Sequence, residues 1–167
     1  MGLALAISAE LTGVTDLHPV DSADTPYTYS FTVQCTSCRE IHPNAVEVTA
    51  WESHELSGSR GEANFVWRCR ACRRESSASF KMVAKQPTPP TMYTAEDSGK
   101  WKNVVEFDVR GLEFTDFQVT GEWTCKSTEN TTVFSEVDLE PGEWFDYDEK
   151  AGQEVMITDV KWQIRNC

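Results

Sequence analysis

A chain of 167 residues, 40% hydrophobic and 25% charged, with six Trp and eight Phe, is long enough to bury a core and too apolar for disorder along most of its length. Its formal charge of −12 disfavours nucleic acid, whose phosphates are held by Lys and Arg. No apolar run approaches the ~20 residues of a membrane span, and the start, "MGLALAISAE", lacks the basic flank of a secretory signal. The expectation is a soluble intracellular protein, cytoplasmic or also nuclear, with no membrane ligand.

Period-two alternation runs through the chain and predicts a mainly antiparallel β protein. In "LALAISAEL", Leu3, Leu5, Ile7, Ala9 and Leu11 share one face. In "YTYSFTVQC", Tyr27, Tyr29, Phe31, Val33 and Cys35 face one way, and Thr28, Ser30, Thr32 and Gln34 the other. "EANFVWRC" sets Ala63, Phe65, Trp67 and Cys69 together. The segment 84–100 interrupts this order: three prolines around Thr88 remove the amides a central strand needs, so it reads as a connector. Within it Thr94, three residues before Asp97, marks a short capped turn. Beyond it, "VVEFDVRG", "FSEVDL" and "VMITDVKWQI" alternate again.

Residues 1–85 carry eight Lys/Arg against ten Asp/Glu, and residues 86–167 seven against seventeen. With a similar order of strands and turns on each side, this suggests two similar antiparallel halves packed as a sandwich-like unit. Residues 1–85 form the metal-binding half, 86–100 the Pro-rich connector and 101–167 an acidic half without metal.

Four of the six cysteines form two Cys-x2-Cys pairs, Cys35/Cys38 and Cys69/Cys72, separated by thirty residues. A two-residue spacer lets one tight turn present two sulfurs to one ion, so two such pairs predict tetrahedral thiolate coordination of one structural Zn2+. The sequence between them reads as strand, turn, strand, so the site closes if the cysteine-bearing strands are neighbours. Four thiolates around zinc leave a net charge of −2. Arg39, Arg68, Arg70, Arg73 and Arg74 are the nearest counter-charge, and are expected to neutralise the sulfurs. The closed shell leaves no place for a substrate. A thiol–disulfide redox enzyme using a Cys-x-x-Cys pair is the alternative, opposed by the absence of a following helix.

Other residues offer less. His18 and His42 precede prolines, and His42 is a substitute ligand only if a cysteine fails. His54 has Ser53 and Glu55 beside it, but strand neighbours point apart, so no triad forms. "GSRG" at 58–61 reads as a hairpin turn. "NTT" at 130–132 matches a glycosylation acceptor, and the acidic run 146–154 reads as a solvated turn. Cys125 and Cys167 are isolated thiols.

The segments "CTSCRE", "GSRGEANFVWRCRACRRESS", "YTAEDSGKWKNVVEFDVRGLEFTDF" and "WFDYDEKAGQEVMI" resemble the eukaryotic CXXC-motif-containing zinc-binding protein family, from near residue 3 to the C-terminus. The resemblance implies a compact β protein of two similar halves. It also implies one zinc held by Cys35, Cys38, Cys69 and Cys72, and it brings no reaction with it. With no catalytic constellation, the expectation is a monomeric, non-enzymatic module that binds another protein.

Overall fold

The computed structural model describes residues 2–58, 61–83, 86–87 and 91–167. Residues 59–60 of the glycine turn, and 84–85 and 88–90 of the connector, lie outside the described residues. In chain order come β1 (Gly2–Thr12), β2 (Val14–Pro19), β3 (Tyr29–Cys35) and β4 (Val46–Val48). A short hairpin of β5 (His54–Glu55) and β6 (Glu62–Ala63) leads to β7 (Phe65–Arg68) and β8 (Glu75–Phe80). A second, β9 (Met82–Val83) and β10 (Gln86–Pro87), precedes a 3-10 turn, Ala95–Asp97. The rest is β11 (Lys102–Arg110), β12 (Leu112–Gln118), β13 (Trp123–Ser127), β14 (Val133–Val137), β15 (Trp144–Asp148) and β16 (Gln153–Asn166). All described pairings are antiparallel, and the sheets form a half-barrel.

Strands from the two ends of the chain alternate within the sheets. The largest runs β15-β16-β1-β11-β8-β7, and two three-stranded sheets run β12-β3-β4 and β14-β13-β2. Thus β1 lies between β16 and β11, and β3 pairs with β12 along Leu112↔Cys35 to Gln118↔Ser30. Strands of 1–85 are therefore held chiefly by strands of 101–167.

The alternation explains β1. Leu3, Leu5 and Ile7 enter the core, while Ala4 and Ala6, although on the opposite face, are also buried. Ala4 pairs with Glu106 and Arg165, and Ala6 with Asn103 and Gln163. Arg165 Nε donates to Asn103 Oδ1 at 2.8 Å, joining the flanking strands across the small side chains. The core proper is aromatic. Phe31 stacks on Phe114 at 4.3 Å and meets Phe107 edge-on at 5.5 Å, and Phe107 packs on Phe80 at 4.7 Å. Since β3 and β12 belong to one sheet and β8 and β11 to another, these rings join the two sheets.

The turn within the connector forms as its sequence predicts. The Asp97 carboxylate accepts from the Thr94 amide and hydroxyl, each at 2.8 Å, and pairs with Lys102 Nζ at 2.8 Å. Tyr93, just before it, is fully buried, and its hydroxyl lies among the carbonyls of Ala9, Asp97 and Lys100.

Asp148, fully buried, ties the β15–β16 turn to the β13–β14 turn. Its carboxylate accepts from Ser127 Oγ, Asn130 Nδ2 and the Ala151 amide. Asn130, the asparagine of the glycosylation-like triplet, therefore has its amide engaged inside the protein. The Ser127 hydrogen bond, outweighing desolvation, holds Asp148 below the usual carboxylate range. A depressed carboxylate stabilises the fold fully above its unfolded value of about 3.9, and that stability is lost as pH falls through the folded value. Asp148→Asn should therefore melt earlier than wild type at pH 7, with the difference shrinking below about pH 4. Parallel thermal melts check this, since acid release of metal affects both proteins alike. A difference independent of pH would contradict it.

Candidate metal centre

Two hairpin turns of matching construction carry the cysteine pairs. In the first, Arg39 N–H donates to the Cys35 carbonyl at 3.0 Å and Cys35 N–H to the Glu40 carbonyl at 3.0 Å. In the second, Arg73 N–H donates to the Cys69 carbonyl at 2.8 Å and Cys69 N–H to the Arg74 carbonyl at 3.0 Å. A turn closing on this pattern needs positive φ at its last residue before the return strand. Arg39 (φ 68°) and Arg73 (φ 64°) supply it. The first cysteine of each turn ends or follows a core strand and is buried, whereas Cys38 is exposed and Cys72 half-buried.

The two turns come from different sheets. Cys35 ends β3, the central strand of β12-β3-β4, and Cys69 follows β7, the edge of the six-stranded sheet. The cysteine-bearing strands are thus not ladder neighbours, and the site closes without that condition. They face one another across the aromatic core, because β3 pairs with β12 and β4 and β7 pairs with β8.

All four sulfurs lie within 4.8 Å of one another. Cys35 Sγ is 3.7 Å from Cys72 Sγ, and Cys38 Sγ is 3.5 Å from Cys69 Sγ. A regular tetrahedron of sulfurs, each about 2.3 Å from zinc, has edges of about 3.8 Å. The donor set, its number and its spacing therefore fit one Zn2+.

The backbone supplies the countercharge. Hydrogen bonds from the Cys38 and Ser37 amides lower the Cys35 thiol to about 7, against desolvation. Amides of Cys72 and Ala71 lower Cys69 in the same way. Cys38 accepts from the Glu40 amide, yet desolvation and the three neighbouring thiols push it up to about 12. Four thiolates this close cannot all ionise without a cation among them, so the cluster is electrostatically complete only around a metal.

The arginines do not neutralise the sulfurs as the sequence suggested. Among the described residues no guanidinium donates to a cysteine. Arg68 instead donates through Nη1 to the Arg73 carbonyl at 2.8 Å, and its Nη2 lies 3.8 Å from Glu75 Oε1. Arg70 meets Glu40 at 3.3 Å. Short turns leave peptide N–H groups pointing at the sulfurs, whereas the long arginine stems reach solvent at little cost.

The remaining sequence candidates stand apart. His42 lies edge-on to Trp67, ring centroids 6.0 Å apart, outside the cluster. His54 meets Glu52 at 3.5 Å, Ser53 donates to Glu62, and His18 Nδ1 contacts the Pro19 carbonyl. Cys125 is buried, which pushes its thiol up to about 12, and Cys167 is exposed.

Gly111 supports the site without an obvious sign in its spacing. Its carbonyl accepts the Thr36 amide of the first turn at 3.1 Å, its φ is +79°, and an added Cβ would lie 2.7 Å from Ser76 Oγ. Gly111→Ala should cost about 1–3 kcal/mol from backbone strain, with the clash in addition. Gly58, at φ +68° with nothing within 4 Å, is the control. Urea melts of the two alanine variants should differ, with Gly111→Ala the less stable. Equal losses would discount the contact.

A model of the eukaryotic CXXC motif containing zinc binding protein matches residues 4–165. The chain belongs to this family. It is 43% identical over 161 residues to the UPF0587 protein C2D10.03c of Schizosaccharomyces pombe, covering 96% of each. It is 34% identical over 165 residues to the CXXC motif containing zinc binding protein of Homo sapiens, covering 99% of this chain and 98% of that one. The crystal structure of C1orf123 superposes with a TM-score of 0.88 at 34% identity over the full length of both chains. A hypothetical protein from Plasmodium falciparum, with a TM-score of 0.83 at 21% identity, shares the fold.

Proposed function

We propose that Cys35, Cys38, Cys69 and Cys72 hold one structural Zn2+ that clamps two sheets together, and that the braced surface binds another protein inside the cell. The convergence of four sulfurs from two separate sheets within 4.8 Å carries the reading. A closed four-thiolate shell offers no open position to water or substrate, which favours a structural over a catalytic ion. The ion, when bound, supplies cross-linking charge alone. The peptide amides orient Cys35 and Cys69, and Cys38 must give up its proton for the shell to close. Exposed aromatic side chains at Trp51, Phe145 and Tyr147 suit a protein partner, since such residues are enriched in interfaces. The net charge of −12 disfavours nucleic acid.

Elemental analysis with thiol titration tests the metal assignment. One zinc per chain is expected, with Cys167 reacting freely and the four cluster thiols shielded until a chelator is added. Zinc uptake at pH 7 should also release protons. A purified chain without metal, or with a disulfide inside either Cys-x-x-Cys, would overturn the assignment.

A further inference from the structure

The tips of the two cysteine turns carry side chains that metal binding leaves unexplained. The conformation required of residues 39 and 73 is one that glycine adopts freely and an L side chain only at a cost. Both positions hold arginine. Strain retained at equivalent places in two turns points to a use for the side chain. Arg39, Arg73 and the adjoining Arg74 are exposed, and their guanidinium groups have no hydrogen bond or ion pair among the described residues. Four of the fifteen Lys and Arg residues lie on these two turns, with Arg68 at the end of β7, and Ile41, which follows the first turn, is 54% exposed.

We propose that the two turn tips form a docking surface for an acidic segment of a partner protein, with carboxylates held by Arg39 and Arg73. The proposal rests on the reading of the chain as a zinc-braced interaction module. Guanidinium forks match carboxylates two bonds at a time. Turns fixed by metal thiolates pay little ordering cost when a ligand binds. The local charge separates a peptide from a nucleic acid. Five arginines less Glu40 and Glu75 leave three positive charges, and four thiolates around a divalent ion remove two. That small surplus, on a chain of net charge −12, suits a short carboxylate segment; a polyphosphate strand would extend onto repelling acidic surface.

The zinc-loaded full chain should bind a fluorescent poly-glutamate peptide at low salt, with affinity falling as salt rises. The double variant R39G/R73G should keep one zinc and melt within a few degrees of wild type, since glycine suits both backbones. Its peptide affinity should fall about tenfold or more. R39K/R73K keeps the charge but not the fork and should also bind less well, which decides the matter if the glycine pair loses metal. The proposal is overturned by zinc-loaded wild type that ignores the peptide, by variants that bind it unchanged, or by a thymidine oligonucleotide that displaces it at equal charge. The first of these leaves the metal assignment intact, whereas a chain that holds no zinc defeats both.

Discussion

Removing the metal, or replacing Cys35 by serine, should lower the melting midpoint by more than about 10 °C, equivalent to about 3–5 kcal/mol for a chain of this size. The bound includes some recovery, because thiols of the unfolded chain also bind metal and protons. Structural zinc contributes about 10–16 kcal/mol of binding, against a total stability of about 5–15 kcal/mol. The loss falls on a defined junction. Without the ion, Cys35 at the end of β3 and Cys69 after β7 are like-charged or protonated neighbours with nothing between them, and the edge strand β7 is left with one ladder, to β8, and the packing of Phe65 on Phe114 and Trp67 on His42. Hydrogen exchange should therefore accelerate first in 35–40 and 65–74, with β1 and β16 protected longest. Calorimetry of protein with and without chelator measures the shift. Metal-free chain that melts at the holo temperature would show that the aromatic core holds the sheets unaided.

Phe31→Ala should cost about 3–5 kcal/mol with zinc still bound. Phe31 is fully buried on β3, four residues before Cys35, and its ring meets Phe114, Phe117 and Phe107 within 5.5 Å. Phe107 stands on β11 in the opposite sheet, so truncation opens a cavity at the contact between sheets, which close packing on both sides prevents from collapsing. Phe31→Leu keeps most of the volume and should cost less than about 1.5 kcal/mol. Urea denaturation of both variants, with zinc content measured alongside, gives the two values. An alanine variant that loses metal in proportion to stability would show that core and clamp fail together. One that keeps a full complement of zinc would show that the turns are held by their own hydrogen bonds.

Much of this architecture is local and so legible along the chain. The alternation of "LALAISAEL" and "YTYSFTVQC" appears as β1 and β3, nearly residue for residue. Thr94 and Asp97 form the expected turn. The Cys-x2-Cys pairs are local too, because each needs no more than one hairpin turn to bring its sulfurs near. The arginines show where this kind of inference stops. Their spacing beside the cysteines suggested charge neutralisation, but the turn directs amide N–H groups inward and sends residues 39 and 73 outward in left-handed conformation. Side-chain direction at a tight turn follows from φ, which composition does not report.

The sequence by itself determined a mainly antiparallel β protein, a four-sulfur donor set, and the family to which it belongs. Tertiary structure alone decided that β1 lies between strands 90 or more residues away in the chain. It decided too that the two cysteine turns descend from different sheets and that Gly111 braces the first of them. The reason is physical. Period-two alternation tells which residues share a face, but a strand's free N–H and C=O groups accept any partner with a matching apolar face. That choice is settled by the packing of the whole core.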